Sequence, residues 1–171
     1  MSEVIRVVVV ADTHIPDFAR RLPEAVLREA ERADVVIHAG DVTSPAVLDA
    51  LAAFAPVLAV RGNNDGPDVA AWGAPETIET ELDGVPSAVI HDAGPAKGRP
   101  ARMRRRFPGA RLVIFGHSHI PIDIDEAGVR LLNPGSPTWK RRQPTPTFAI
   151  VEIHDGTLDV ELVELDVTRP A

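Results

Sequence analysis

Two histidines one residue apart, His117 and His119, follow a glycine in the stretch Leu112–Pro121, LVIFGHSHIP. Zinc, manganese and iron(II) all accept neutral imidazole, so the pair is a candidate metal-binding unit. A His-x-His on a solvated loop is also a common incidental feature, and it gains meaning only if other donors arrive from similar places. They do. Asp12 and His14 close the apolar run Val4–Ala11, Asp41 follows VVIHAG, Asn63 follows VLAVRG, and His91 follows Val85–Ile90. Collected, Asp12, His14, Asp41, Asn63, His91, His117 and His119 exceed what one ion of about four to six ligands can use. They suit two ions sharing a bridging carboxylate. Oxygen with imidazole and no sulfur fits manganese, iron, zinc or cobalt and is poor for calcium alone. Two such ions roughly 3.5–4 Å apart would hold a bridging hydroxide at neutral pH and clamp the oxygens of an in-line displacement at phosphorus.

The elements that must position these donors alternate along the first third of the chain. Val4–Ala11 is almost wholly apolar without alternation, as expected for a strand covered on both faces. Pro23 followed by EAVLREAERA reads as a helix with proline at its first turn. VVIHAG is a second buried strand. Thr43-Ser44-Pro45 then caps a helix over AVLDALAAF, and VLAVRG is a third strand. Strand–helix units repeated in this way imply right-handed crossovers and a parallel sheet, whose ligands gather at the carboxyl ends of the strands. Later the pattern changes. Thr77–Leu82 and Val85–Ile90 flank Asp83-Gly84 as a hairpin. Residues 93–110 read as a loop and a short basic helix, and Leu112–Phe115 is the strand that delivers the histidine pair. Ile122–Ile124 and Val129–Leu132 flank a turn, Asn133–Ser136 is a tight polar turn, and Phe148–Ile153 with Leu158–Leu165 form a closing hairpin. The second half is therefore antiparallel or mixed.

Composition limits the alternatives. A chain of 171 residues suits one domain, 1–171, with a core of its own. There is no cysteine, which excludes disulfides, thiolate metal sites and cysteine nucleophiles. No apolar stretch approaches the roughly 20 residues needed to span a bilayer. An acidic residue at position 3 and the lack of a small-residue cleavage site argue against a signal peptide, so the cytoplasm is the expected compartment. A net charge of −7 opposes a stable nucleic-acid complex. Seven basic residues nevertheless fall between Lys97 and Arg111 with no acidic one, and Lys140–Arg142 is a second cluster. They read as a solvated helix face, or as local steering of an anionic substrate.

Asp12-x-His14, Gly40-Asp41, Gly62-Asn63-x-Asp65, His91 and Gly116-His117-x-His119, in this order, resemble the calcineurin-like metallophosphoesterases. The short length and the Asn133-Pro134-Gly135-Ser136 turn are similar to their small bacterial and archaeal phosphodiesterase branch. The resemblance covers most of the chain. It implies an α/β fold, a four-layer α/β/β/α sandwich with two mixed sheets face to face. It places Asp12, His14 and His119 on a first metal, Asp41 as the bridge, and Asn63, His91 and His117 on a second. It further implies hydrolysis of a small phosphodiester or nucleotide-like substrate by a metal-bridging hydroxide. Manganese is the first-choice ion, with iron, zinc, cobalt or nickel as alternatives, and a homodimer or homotetramer is the expected assembly. A phosphomonoesterase and a non-catalytic metal-binding scaffold are the competing readings.

Two positions depart from the family pattern. Asn64 stands where many members carry a histidine near the leaving group, and Asp92-Ala93 follows His91. An amide can donate to a phosphoryl oxygen but cannot protonate a departing alkoxide, so Asn64 is expected to contact phosphate and to favour good leaving groups. His38, three residues before Asp41, is expected to pack or support, the Asn133–Ser136 turn to orient imidazoles through its backbone, and His154 to lie at the surface.

Overall fold

The computed structural model describes residues 3–166. In chain order the elements are β1 (Ile5–Val10), α1 (Glu24–Glu31), β2 (Val35–His38), α2 (Pro45–Ala52), β3 (Val57–Ala59), α3 (Pro67–Trp72), β4 (Thr77–Leu82), β5 (Val85–Ile90), α4 (Arg99–Arg106), β6 (Leu112–Ile114), β7 (Ile122–Glu126), β8 (Val129–Asn133), β9 (Thr147–His154) and β10 (Thr157–Glu164). Two five-stranded sheets form, in the orders β10-β9-β1-β2-β3 and β4-β5-β6-β8-β7. In the first, β1, β2 and β3 are parallel while β9 and β10 return antiparallel. In the second, β5, β6 and β8 are parallel and flanked by antiparallel β4 and β7. Both sheets are mixed, as expected.

The side-chain alternation of β1 shows how the layers are assigned. Val8 and Val10 pack with Val26, Ala30, Leu48 and Leu51 of α1 and α2, on the outer face of the first sheet. Val7 and Val9 point the other way, into a second cluster with Val89, Leu112, Ile114 and Leu132 of the facing sheet. A strand with no polar alternation is required because both of its faces are covered. On the far side, Val113 and Phe115 pack with Met103 and Phe107 under α4. The result is helices, sheet, sheet, helix. Leu112 and Ile114 are wholly buried, and each contributes about 1.5–3 kcal/mol by leaving water.

The helix α3 was not anticipated, although its signals are present. Pro67 sits in its first turn and Gly73 ends it in the left-handed conformation with φ +116°. Other elements stop a residue or more short of the apolar runs that suggested them. The third strand ends at Ala59, although Val60 N still donates to His38 O at 3.1 Å. Among the described residues, no helix is long and apolar enough to cross a membrane.

The basic segment Lys97–Arg111 is not simply a solvated face. Arg99 is buried, with its guanidinium over the Phe115 ring and on the Gly94 carbonyl. Arg102 donates to the carbonyls of Ala93 and Pro95. Both cations tie down the loop that follows His91. Arg106 alone of the segment reaches the cleft described below.

Candidate metal centre

Three loops leave the carboxyl ends of β1, β2 and β6, and each carries its polar residues in the same unusual backbone form. Asp12 and His14 have φ of 55° and 45°, Asp41 and Thr43 have 57° and 68°, and His117 and His119 have 75° and 61°. Left-handed backbone in non-glycine residues costs roughly 1–3 kcal/mol each, and Thr43 is β-branched besides. Strain repeated at alternate residues of three loops marks a functional centre. Hydrogen bonds hold it in place. The β1 and β2 loops continue the strand pairing past its end, through Asp12 N to Gly40 O at 2.9 Å and His14 N to Asp41 O at 3.1 Å.

Asp65, the last residue of the Gly62–Asp65 motif, is the main clamp. Its carboxylate accepts from the backbone N–H groups of Asp41 (2.9 Å), Thr43 (2.8 Å) and Gly62 (2.7 Å). In the sequence the motif points to its asparagine and assigns Asp65 no role. An aspartate in a polar turn, able to cap nearby backbone N–H groups, was the available signal. Gly62 is needed here, since a Cβ on it would run into the Asp41 carboxylate.

The donors converge. Asp12 Oδ1 lies 3.6 Å from His119 Nε2 and 3.9 Å from both His14 Nε2 and His91 Nε2. Asp41 Oδ2 stands 3.5 Å from His14 Nε2 and 3.4 Å from His91 Nε2. Two overlapping groups result, Asp12–His14–His119 and Asp12–Asp41–His91, and all five residues are buried. Asn63 Oδ1 is 3.0 Å from His91 Nε2 and 3.1 Å from His117 Nδ1, which puts Asn63 and His117 on the His91 side. All seven residues expected to ligate are thus brought to one place. Asn64 lies at the rim and donates to Asp41, from its backbone N–H at 2.9 Å and its side-chain amide at 2.8 Å.

Whether these residues fit a cation can be judged from atoms that the protein leaves unpartnered. Among the described residues, Asp12 Oδ1, His14 Nε2 and His119 Nε2 are buried without a hydrogen-bond partner. A buried polar atom of this kind costs about 1–3 kcal/mol. Three of them facing one point are what a divalent cation with oxygen and imidazole ligands would satisfy. Their orientation is fixed from behind. His91 Nδ1 donates to Ala39 O and His119 Nδ1 to Trp139 O, both at 2.7 Å, so each ring turns Nε2 inward. The residues fit.

The electrostatics agree. Burial pushes the His14 imidazole down and His119 down to about 4, so both are neutral and ready to ligate at pH 7. Burial pushes the Asp12 carboxyl up to about 7, against the pull of the His91 imidazole. Burial also works against the Asp41 anion, but the His91 imidazole and the two Asn64 donors outweigh it and hold that carboxyl well below the usual range. His91 itself is raised: burial opposes its cation, while Asp41 and Asp12 favour it.

His38 supports rather than ligates, as expected. Its Nδ1 accepts from Gly40 N at 3.2 Å, so the ring proton is on Nε2, which faces Thr13 Oγ1 at 3.0 Å. Burial pushes its pKa down to about 3. Between about 3 and the ordinary value of 6.5, the unfolded chain therefore binds a proton that the folded chain refuses, and stability falls as pH drops through that window. We expect chelator-treated protein to lose on the order of 1 kcal/mol per pH unit from this residue below 6.5. In denaturant titrations at several pH values, His38→Asn should flatten the dependence. Equal slopes for both proteins would refute the assignment.

The Asn133–Ser136 turn does support the site, but through side chains and not its backbone. Ser136 Oγ donates to Asp12 O at 2.7 Å and accepts from Trp139 N, and Asn133 Nδ2 donates to Gly116 O. His154 is exposed, as expected. Trp139 was missed. Its ring meets His14 and His119 edge-on at 5.2 and 5.3 Å and stacks on Phe18 at 4.8 Å, so it screens the two imidazoles from solvent. A cleft of about 460 Å³ opens on the other side, lined by Asn63, His91 and His117 with Arg61, Asp92 and Arg106.

Fold and site define an α/β sandwich with candidate metal-binding groups at the carboxyl ends of its strands. Residues 5–156 match the calcineurin-like phosphoesterase superfamily domain, and the chain belongs to that family. It is similar to a probable metallophosphoesterase of Methanothermobacter thermautotrophicus, with 35% identity over 91% of this chain and 90% of the relative. Among solved structures it resembles vacuolar protein sorting 29 of Cryptosporidium parvum, with TM-score 0.76 and 21% identity over 95% of this chain and 98% of that one. A structure described as a novel archaeal phosphodiesterase gives TM-score 0.72 and 21% identity over 93% of this chain and 100% of that one. At such identities these two likenesses show the fold.

Proposed function

We propose that the protein is a binuclear metal-dependent phosphodiesterase acting on small, nucleotide-like esters. The observation that carries this reading is the set of three buried, unpartnered atoms, Asp12 Oδ1, His14 Nε2 and His119 Nε2, at the mouth of parallel strands. In it Asp12, His14 and His119 would hold one ion and Asn63, His91 and His117 the other, with Asp41 shared between the two groups. Asp41 Oδ2, 3.5 Å from His14 and 3.4 Å from His91, supports the bridging role. Two divalent ions, when bound, would supply an activated water and neutralise charge developing at phosphorus. Ala39 and Trp139 carbonyls keep Nε2 of His91 and His119 turned to the centre. Trp139 and Phe18 exclude water from one flank, and the cleft beside His117 receives the organic part of the ester. Asn64 is assigned a phosphoryl oxygen through its side-chain amide.

Chelator-treated protein should lose hydrolysis of bis(p-nitrophenyl) phosphate and regain it with manganese. Cobalt, zinc, iron and nickel in parallel would choose the ion. Faster turnover of p-nitrophenyl phosphate would favour a phosphomonoesterase, and tight metal binding with no turnover under any ion would favour a scaffold. Because no imidazole stands at position 64, rates on substituted aryl diesters should fall steeply as the leaving-group pKa rises. A flat series would show that protonation of the leaving group has another source.

A further inference from the structure

Several arginines among the described residues have fixed partners. Arg6 pairs with Glu29 and Glu152, Arg130 with Asp123, and Arg102 and Arg111 with backbone carbonyls. Arg141 differs. Its guanidinium lies over the Trp139 ring, 5.0 Å from the centroid, and has no carboxylate or carbonyl partner among the described residues. Its backbone is held in the left-handed region at φ +50°. The ring beneath it is anchored on both sides, since Trp139 stacks on Phe18 and its carbonyl accepts from His119 Nδ1. The cation is therefore positioned by a rigid aromatic platform that itself borders the metal ligands.

We propose that Arg141 is a phosphate-binding residue, whose guanidinium takes the non-bridging oxygens of the reacting group on the Asp12–His14–His119 side of the centre. The assignment rests on the phosphodiesterase reading. Exposed cation–π contacts contribute only about 0.5–1 kcal/mol, so the Trp139 ring orients the guanidinium without consuming its donors. A planar fork with free N–H groups matches two phosphate oxygens at once. Proximity to the centre follows from the platform, since the ring that carries Arg141 meets the rings of His14 and His119 at 5.2 and 5.3 Å. An unpaired cation beside a site built to hold further cations is unfavourable by itself, and an anion bound between them removes that repulsion. Phosphate is such an anion.

The test uses manganese-loaded full-length protein, with inorganic phosphate as the probe in calorimetry and bis(p-nitrophenyl) phosphate as the substrate. Arg141→Ala should weaken phosphate binding about tenfold or more, the weight of one charge-assisted contact. Manganese affinity should be unchanged or tighter, because a neighbouring positive charge has gone. Arg141→Lys should recover part of the loss, and millimolar guanidinium should rescue Arg141→Ala. Trp139→Leu, which keeps the charge but frees it, should weaken phosphate binding severalfold. Unaltered phosphate affinity in Arg141→Ala overturns the proposal. So does a parallel fall in manganese affinity, which would show a merely structural role in the loop. If wild-type protein binds phosphate through Arg141 yet hydrolyses no diester, the phosphodiesterase reading fails while the anion site stands.

Discussion

Asp12→Asn is expected to cut diester hydrolysis by about 10³-fold, and at the same time to make the chelated protein more stable at pH 8. The loss is at least what removal of one charge-stabilising group carries in other enzymes. The gain follows from burial. Asp12 is fully buried, its Oδ1 has no partner, and its carboxyl is pushed up to about 7. An acid whose folded pKa lies above its unfolded value contributes stability that is complete below about 3.8 and lost as pH rises through 7. At pH 8 the chelated wild type bears a buried anion at a cost of a few kcal/mol, and asparagine removes the charge with little change of shape. Oδ2 also accepts from His117 N at 2.9 Å, and the amide oxygen can keep that bond. Denaturant titrations with chelator at pH 5 and pH 8, beside turnover with manganese, would decide the matter. A variant less stable than wild type at pH 8, or one with near-normal turnover, would sink the view that Asp12 is a ligand placed at the expense of stability.

The opposite pattern is expected of Asp65→Ala, which should cost both stability and metal affinity without removing a ligand. Three backbone N–H groups lose their acceptor, at roughly 1–3 kcal/mol each where water cannot replace it. Two of them belong to Asp41 and Thr43, whose left-handed conformations then have less to hold them. Partial exposure of the turn tempers the total, and a destabilisation of about 3–5 kcal/mol is expected. Supporting contacts behind a metal ligand typically carry 10–100-fold in affinity, so manganese should bind that much more weakly. Asp65→Asn keeps one acceptor oxygen and should fall between. Calorimetry with manganese, together with unfolding midpoints, separates this from a simple loss of charge. Unchanged manganese affinity in the alanine variant would mean that the turn is held by something other than Asp65.

The types of Asp12 and Asp65 are legible in the sequence, but their energetics are not. Asp12 was recognisable as a polar residue ending an apolar run. That its Oδ1 is buried and unpartnered depends on His14 of the same loop and on His91 and His119 arriving from two other places in the chain. Asp65 was visible only as the end of a motif, because its three partners lie on two separate loops. Asn64 shows the same gap. Its chemistry was legible, while its two hydrogen bonds to Asp41 were not. Arg99 and Arg102 read as solvated charge, yet their long side chains fold back onto carbonyls and onto Phe115.

What the chain determines by itself is local. Apolar runs without alternation make strands that must be covered on both faces, and polar residues at their ends must then collect on one edge of a parallel sheet. That logic already places the seven donors near one another and limits the ion to one that takes oxygen and imidazole. Tertiary structure decides how they meet. Asp12 Oδ2 on the first sheet accepts from His117 N on the second, His91 Nδ1 on the second donates to Ala39 O on the first, and Ser136 reaches back to Asp12 O. These bonds join residues 52 to 124 positions apart. No local propensity encodes them, because they exist only when two independently twisted sheets pack face to face. Alternate residues of the three loops at these strand ends are left-handed, a conformation that no local pattern in the sequence announces.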